Sequence, residues 1–119
     1  MVAIIDEPAK YFWEMLDSCR FVLELKADRT IEDYKRDRLF RSAVEQELSI
    51  IGRAMAQLNA VNPAVASSLT ESRSIMELRK ELIYRYFDID ATAVWHFLIA
   101  KLPILQGELE AALRSFPES

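Results

Sequence analysis

One segment of this chain places a guanidinium and two phenols at a regular spacing. Within Leu78–Asp90 (LRKELIYRYFDID), Arg79 is followed after four residues by Tyr84, and Tyr86 comes two positions later. A guanidinium presents several fixed donors to an anion such as phosphate. A phenol, with a reference pKa of about 10, exchanges protons poorly at neutral pH. The set is therefore suited to binding a phosphate but poorly suited to moving protons around it.

These three side chains cannot share one face of a continuous helix. Tyr86, seven residues beyond Arg79, returns to nearly the same face, whereas Tyr84 is turned away by roughly 140°. Either the helix breaks near Tyr84, as the turn-forming FDID sequence permits, or a two-fold partner completes the site with its own copy of the segment.

Arg79 also falls on the apolar stripe of its helix, which Ile75, Leu78 and Leu82 define. A guanidinium on such a stripe must find partners or bear a heavy desolvation cost. Geometry alone favours an ion pair within the protein, and a position facing a cleft or a second subunit is the alternative.

The composition is that of one ordinary globular domain spanning residues 1–119. Apolar residues make up 51% of the chain and charged residues 29%, which is enough to bury a core. Only 2 glycines and 4 prolines interrupt a sequence rich in helix formers, so the fold class predicted is all-α. A net charge of −4 provides no overall basic field, and any contact with nucleic acid must come from a local patch.

Cysteine usage and hydropathy indicate a cytoplasmic protein without a membrane anchor. Cys19 is the single cysteine and lies on an apolar stripe, where we expect a buried, reduced thiol. The N-terminus turns acidic at Asp6 before a signal-length apolar stretch develops, and no run approaches the roughly 18 apolar residues that span a bilayer.

Helical periodicity accounts for most of the chain, and short connections favour an up-and-down bundle of four to five helices. Thr30 is the predicted cap of a short second helix, Ser72 or Ser74 of a later one, and Asp90 or Thr92 of the last, which Pro103 kinks or splits. Gly52 marks either a close helix crossing or a merely tolerated glycine. The predicted segments are Asp6–Lys26, Ile31–Asp37, Arg38–Asn59, Ile75–Tyr84 and Asp90–Leu113.

At these residues the chain resembles the HepT-like branch of the HEPN superfamily. That branch carries an Arg-Asn-x-x-x-His-x-Tyr segment, followed by Val-Trp and Leu-Pro pairs that match Val94-Trp95 and Leu102-Pro103 here. An Ile-Gly-x-Ala signature matches Ile51–Ala54. The likeness extends from about Tyr11 to Leu113.

The resemblance implies a helical, dimeric, metal-independent ribonuclease toxin that needs no cofactor. It also implies a partner, a nucleotidyltransferase of the MNT type that acts as antitoxin and attaches AMP to the tyrosine ending the motif. Arg79 matches the family arginine, and Tyr86 matches the modified tyrosine.

Two positions depart from the family pattern, since Lys80 replaces the Asn and Tyr84 replaces the catalytic His. Cleavage of RNA through its 2′-hydroxyl needs a group that accepts a proton, and His with a reference pKa near 6.5 is available in both forms at pH 7. Only about one tyrosine in a thousand is a phenolate at that pH. Ribonuclease activity is therefore expected to be weak or lost.

Three further cations and one histidine are candidates for contacts at the motif. Arg73, Lys80 and Arg85 are candidate contacts to RNA phosphate. His96 is interpreted as a structural histidine unless the fold brings it to Arg79 or Tyr84. A second run of cations is interpreted as a solvated face with ion pairs along the helix: Lys35, Arg36, Arg38 and Arg41.

Three hypotheses follow from the sequence. The leading one is a HepT-like component of a toxin–antitoxin pair, dimeric, with a decayed ribonuclease site. The second is an active ribonuclease in which Arg79 stabilises the transition state and Tyr84, or a histidine from elsewhere, acts as acid or base. The third is a binding module that presents Tyr86 or a helical face to the transferase.

Overall fold

The computed structural model describes residues 7–85 and 88–115 and is an all-helical bundle, as the composition predicts. Tyr86, the predicted modification site, lies outside the described residues. A π turn, Phe97–Lys101, joins the last two helices. The α-helices are α1 Glu7–Lys26, α2 Ile31–Arg36, α3 Arg38–Val61, α4 Pro63–Ser67, α5 Ser72–Tyr84, α6 Ala91–His96 and α7 Leu102–Leu113.

Side-chain caps fix most of the helix starts that the sequence predicts. Thr30 and Asp33 form a complete capping box on α2, although the short aspartate predicted only a weak one. Asp90 accepts from the Thr92 N–H and caps α6. The predicted serine cap of α5 is wrong, because the cap position is Glu71 and its side chain makes no capping bond.

The core lies where α1 packs against α3 and α7, and where the other face of α3 receives α5. Met15, Leu48, Met55 and Leu105 are fully buried in it. Cys19 is also fully buried, as predicted, and desolvation followed by the nearby Glu110 carboxylate raises the pKa of its thiol to about 12. The thiol is therefore a packing group at neutral pH.

Gly52 marks a close crossing of α3 and α5. A Cβ atom at Gly52 would lie 2.6 Å from the Cβ of Arg79, 3.0 Å from its Cδ and 3.1 Å from the Ile75 carbonyl oxygen. Two of these three atoms are held by the α5 backbone, so a change of rotamer cannot remove the overlap. The glycine is therefore required for packing, which decides between the two alternatives left open by the sequence.

Helical geometry is continuous from Ala91 through Pro103 to Leu113, with the π turn between α6 and α7. Proline has no N–H to donate to the preceding turn, and the Leu102 N–H bonds to the Phe97 carbonyl in π geometry just before it. Pro103 then occupies the first turn of α7, where a missing donor costs little. The predicted split takes the form of a wide turn inside one helical rod.

Gly52→Ala tests the close crossing, and Gly107→Ala is its matched control. Both changes raise helix propensity by up to about 1 kcal/mol, but the added methyl group at Gly107 meets nothing within 4 Å. Overpacking typically costs about 1–3 kcal/mol. We expect urea unfolding to show Gly107→Ala as neutral or stabilised and Gly52→Ala as destabilised; equal midpoints for the two variants would contradict the crossing.

Candidate functional site

Arg79 lies half-buried on α5 with its aliphatic stem over Gly52. The glycine lets the two backbones approach, so the stem fills the space that a side chain on α3 would otherwise take. Among residues 7–85 and 88–115, no carboxylate pairs with this guanidinium. The ion pair that geometry favoured is therefore absent there, which leaves the cleft or second-subunit alternative.

Tyr84 is the last residue of α5, and its side chain is 80% exposed. The helix ends at this point, as the first of the two sequence alternatives requires. Because Arg79 and Tyr84 still lie within one regular helix, they are separated by about 140° around its axis. No hydrogen bond joins them in the described part of the chain, so a single protomer does not bring the two groups together.

The predicted phosphate-binding cations occupy three different environments. Arg85 is exposed and pairs with Glu81 at 3.6 Å and with Asp88 at 3.5 Å. Arg73 is exposed on the first turn of α5. Lys80 is exposed and lines a cleft between α5 and α6. Lys80 is thus the one of these three cations that lines the cleft between α5 and α6.

This cleft, of about 660 Å³, was not predicted from the sequence. It forms because α5 packs on α3 while α6 packs on α2, so the two helices diverge. Leu78, Ala93 and Phe97 provide apolar walls, and His96 shares the rim with Lys80. No hydrogen bond links His96 to Arg79 or Tyr84 among the residues that the structure describes.

The π turn contributes directly to one end of the cleft. Lys101, its last residue, donates a hydrogen bond of 3.2 Å from Nζ to Ser74 Oγ on α5. π turns inside helices frequently occur at functional sites because they redirect side chains. Leu102-Pro103 was the available sequence signal, since a proline in a long periodic segment requires a local departure from α geometry.

A second groove, called here the basic groove, has a volume of about 370 Å³ where α2 meets α3 and the start of α6. Tyr34, fully buried, packs against Phe40 and Trp95 beneath it. Its hydroxyl donates to Glu45 at 2.9 Å. The lining residues are Tyr34, Lys35, Arg38, Arg41, Ser42, Glu45, Ile89 and Ala91.

The comparison with known families matches residues 15–112 to the model described as "Ribonuclease HepT-like". The chain belongs to the HepT-like ribonuclease family. This confirms the resemblance found in the sequence, and the helical bundle agrees with it. No solved structure matches this HepT-like chain.

Curated relatives of this HepT-like chain carry names that describe them provisionally as RNases. One, from Caldanaerobacter subterraneus subsp. tengcongensis, is 25% identical over 107 residues, covering 90% of this chain and 95% of the relative. Two come from Methanocaldococcus jannaschii. The first is 25% identical over 108 residues, which cover 87% of this chain and 85% of the relative. The second is 26% identical over 100 residues, which cover 84% of this chain and 91% of the relative.

Two further properties concern only the residues described. None of their helices has the length and apolarity needed to cross a lipid bilayer. In the same ranges, no three His, Cys, Asp or Glu side chains converge in a way that could hold a metal ion.

Tyr34→Phe tests the buried phenol under the basic groove. Burial raises the pKa of Tyr34 well above its ordinary value, and the Glu45 carboxylate raises it further. Losing the hydrogen bond should cost about 1–2 kcal/mol of unfolding free energy at pH 7. Because the native pKa exceeds the unfolded one, this contribution is complete below about pH 10 and declines at higher pH.

Urea unfolding of the native protein and of Tyr34→Phe at pH 7 and pH 11 measures this effect. The difference between the two proteins should shrink at pH 11, and Tyr84→Phe, which removes an exposed phenol, is the control. A difference independent of pH would show that Tyr34 is not held in its neutral form.

Proposed function

We propose that this HepT-like chain is the ribonuclease-family component of a toxin–antitoxin pair, with its own cleavage activity weakened or lost. The observation that carries the proposal is Tyr84, an exposed phenol at the position of the family's histidine. The whole chain, residues 1–119, is proposed to be one such domain.

The chemistry of RNA cleavage supports weakened activity. The 2′-hydroxyl must lose a proton as it attacks phosphorus, and the departing oxygen must gain one. General acid–base groups contribute about 10²–10⁴-fold to such rates. Arg79 retains the ability to stabilise charge on the phosphate, but a phenol at the histidine position supplies little of the proton transfer.

Arg79 and Tyr84 diverge in one protomer, which supports a homodimeric site. A two-fold axis near the end of α5 would bring the second copies of both residues close to the first. At this end of α5, Ile83 is 48% exposed beside the exposed Tyr84. Contact between two copies of this end would remove both side chains from water.

His96 gives specific support to a second candidate, an active ribonuclease with a rearranged site. His96, Lys80 and Lys101 line the same cleft, together with the carboxylates of Glu77, Glu81 and Asp90. In this alternative the imidazole moves protons and the cations hold phosphate. The non-enzymatic alternative remains a module that binds an MNT-type transferase through Tyr86 or a helical face.

Tyr84→His, with Tyr84→Phe as control, tests the decayed site. We expect restoration of the imidazole to raise RNA cleavage by about 10²-fold or more, with the gain lost when Arg79→Ala is added. Single-turnover cleavage of a labelled RNA measures this. Cleavage by the native protein that Tyr84→His does not increase and His96→Ala abolishes would instead establish the rearranged site.

Tyr86 is the predicted acceptor of AMP from an MNT-type transferase. Incubation of both proteins with ATP should add one AMP mass per chain, and Tyr86→Phe should prevent it; Tyr84→Phe controls for general loss of phenols. Intact mass spectrometry under denaturing conditions measures the added mass, and native mass spectrometry measures how many chains the complex contains. An unmodified chain in a stable complex would support binding alone, and a monomer at high concentration would contradict the proposed dimer.

A further inference from the structure

The lining of the basic groove contains three cations and one carboxylate, that of Glu45, so positive charge is in excess there. Its three cations, Lys35, Arg38 and Arg41, form no ion pair within the described ranges. The ion pairs predicted along this face are therefore wrong for that part of the chain. Lys35 and Arg38 are exposed, so an incoming anion can reach both.

The neighbouring carboxylates are already engaged. Asp37 accepts from the Phe40 N–H at the start of α3 and pairs with Arg29 at 3.2 Å. The Phe40 N–H is the main cause of the lowered pKa of Asp37, which keeps this cap ionised. Glu45 accepts from the Tyr34 hydroxyl. Glu45 therefore offsets part of the positive charge of the groove, but no ion pair joins it to Lys35, Arg38 or Arg41 in the described part of the chain.

One cation of the groove is held in a fixed position. Arg41 Nη1 donates to the Tyr34 carbonyl at 3.2 Å and to the Lys35 carbonyl at 2.9 Å, at the C-terminal end of α2. Tyr34 is in turn fixed by its packing on Phe40 and Trp95. A guanidinium positioned in advance loses little side-chain entropy when an anion binds.

The basic groove and Arg79 lie at different points along α3. Gly52 faces Ile75 and Arg79, whereas Ser42 and Glu45 share a small cavity with Leu82, so α3 and α5 are antiparallel. Ser42 and Glu45 also line the basic groove, together with Ile89, which follows the motif in sequence. Along α3, Arg38 lies about 20 Å from the residue that faces Arg79.

We propose that the basic groove binds the phosphodiester backbone of single-stranded RNA and extends the site that begins at Arg79. This inference deepens the proposed function and rests on it. A fixed guanidinium, two exposed cations and the Ser42 hydroxyl are donors that suit phosphate oxygens. Because the net charge of the chain is −4, attraction to RNA depends on such a local cluster.

Binding of a labelled single-stranded 2′-O-methyl RNA, which cannot be cleaved through its 2′ oxygen, tests the groove without interference from turnover. The test variant is Lys35→Ala with Arg38→Ala, and the control is Arg114→Ala. Arg114 is exposed and without an ion pair in the described residues. It directly follows α7, roughly 35 Å along the helical segment that begins at Ala91 beside the basic groove.

The full-length chain is titrated at several salt concentrations. Each phosphate contact contributes about 0.7 to the slope of log affinity against log salt for single strands. The double variant should therefore lose about 1.4 from the slope and bind at least 10-fold more weakly at low salt. Arg114→Ala should match the native protein, and thermal unfolding checks that all variants remain folded.

Arg79→Ala, measured in parallel, separates this inference from the proposed function. If Arg79→Ala weakens binding while the double variant behaves like Arg114→Ala, the groove is not an RNA contact and the inference fails alone. If only the double variant weakens binding, the groove binds RNA but does not extend a binding site at Arg79, and that part of the inference is wrong. A native protein that does not bind the RNA at low salt overturns both.

Discussion

The contact between Gly52 on α3 and the stem of Arg79 on α5 determines how the rest of the motif is presented. Without a side chain at Gly52, the two helices approach until the Cβ of Arg79 and the Ile75 carbonyl occupy the space above the glycine. A shift of about 1 Å would be needed to restore normal contact distances, and displacements of that size at reacting groups can cost about 10²-fold in rate. The glycine thus fixes the position of Arg79 through backbone packing.

The packing of α5 and α6 on different helices also explains why the α5–α6 cleft is separate from the basic groove. α5 is held against α3, whereas α6 is drawn towards α2, where Trp95 packs on Tyr34. The divergence opens the cleft lined by Lys80 and His96. Because α3 and α5 are antiparallel, the C-terminal end of α5 beyond Leu82 lies near the part of α3 that lines the basic groove. The position of each groove therefore depends on which helices pack against each other around it.

The proposed site combines a framework set by the core with altered proton chemistry. Arg79 keeps a position set by the core, whereas Tyr84 lies at the exposed end of α5 and touches little of the protein. A substitution at such an exposed terminus leaves the core intact, since large stability effects arise from buried groups. A HepT-like chain can therefore change the chemistry of its motif while the bundle remains as it is.

The sequence by itself determined the helices, the bundle and the family, because these depend on local periodicity, caps and residue identity, whereas the departure at Tyr84 from the family motif stays a prediction. It also located Gly52 and Pro103 as irregular points. Only the tertiary structure decided that Gly52 is a crossing, that Arg79 has no acidic partner in the described residues, and that Lys35 and Arg38 face a groove. Those outcomes depend on which helices meet and at what distance, and residues far apart in sequence decide both.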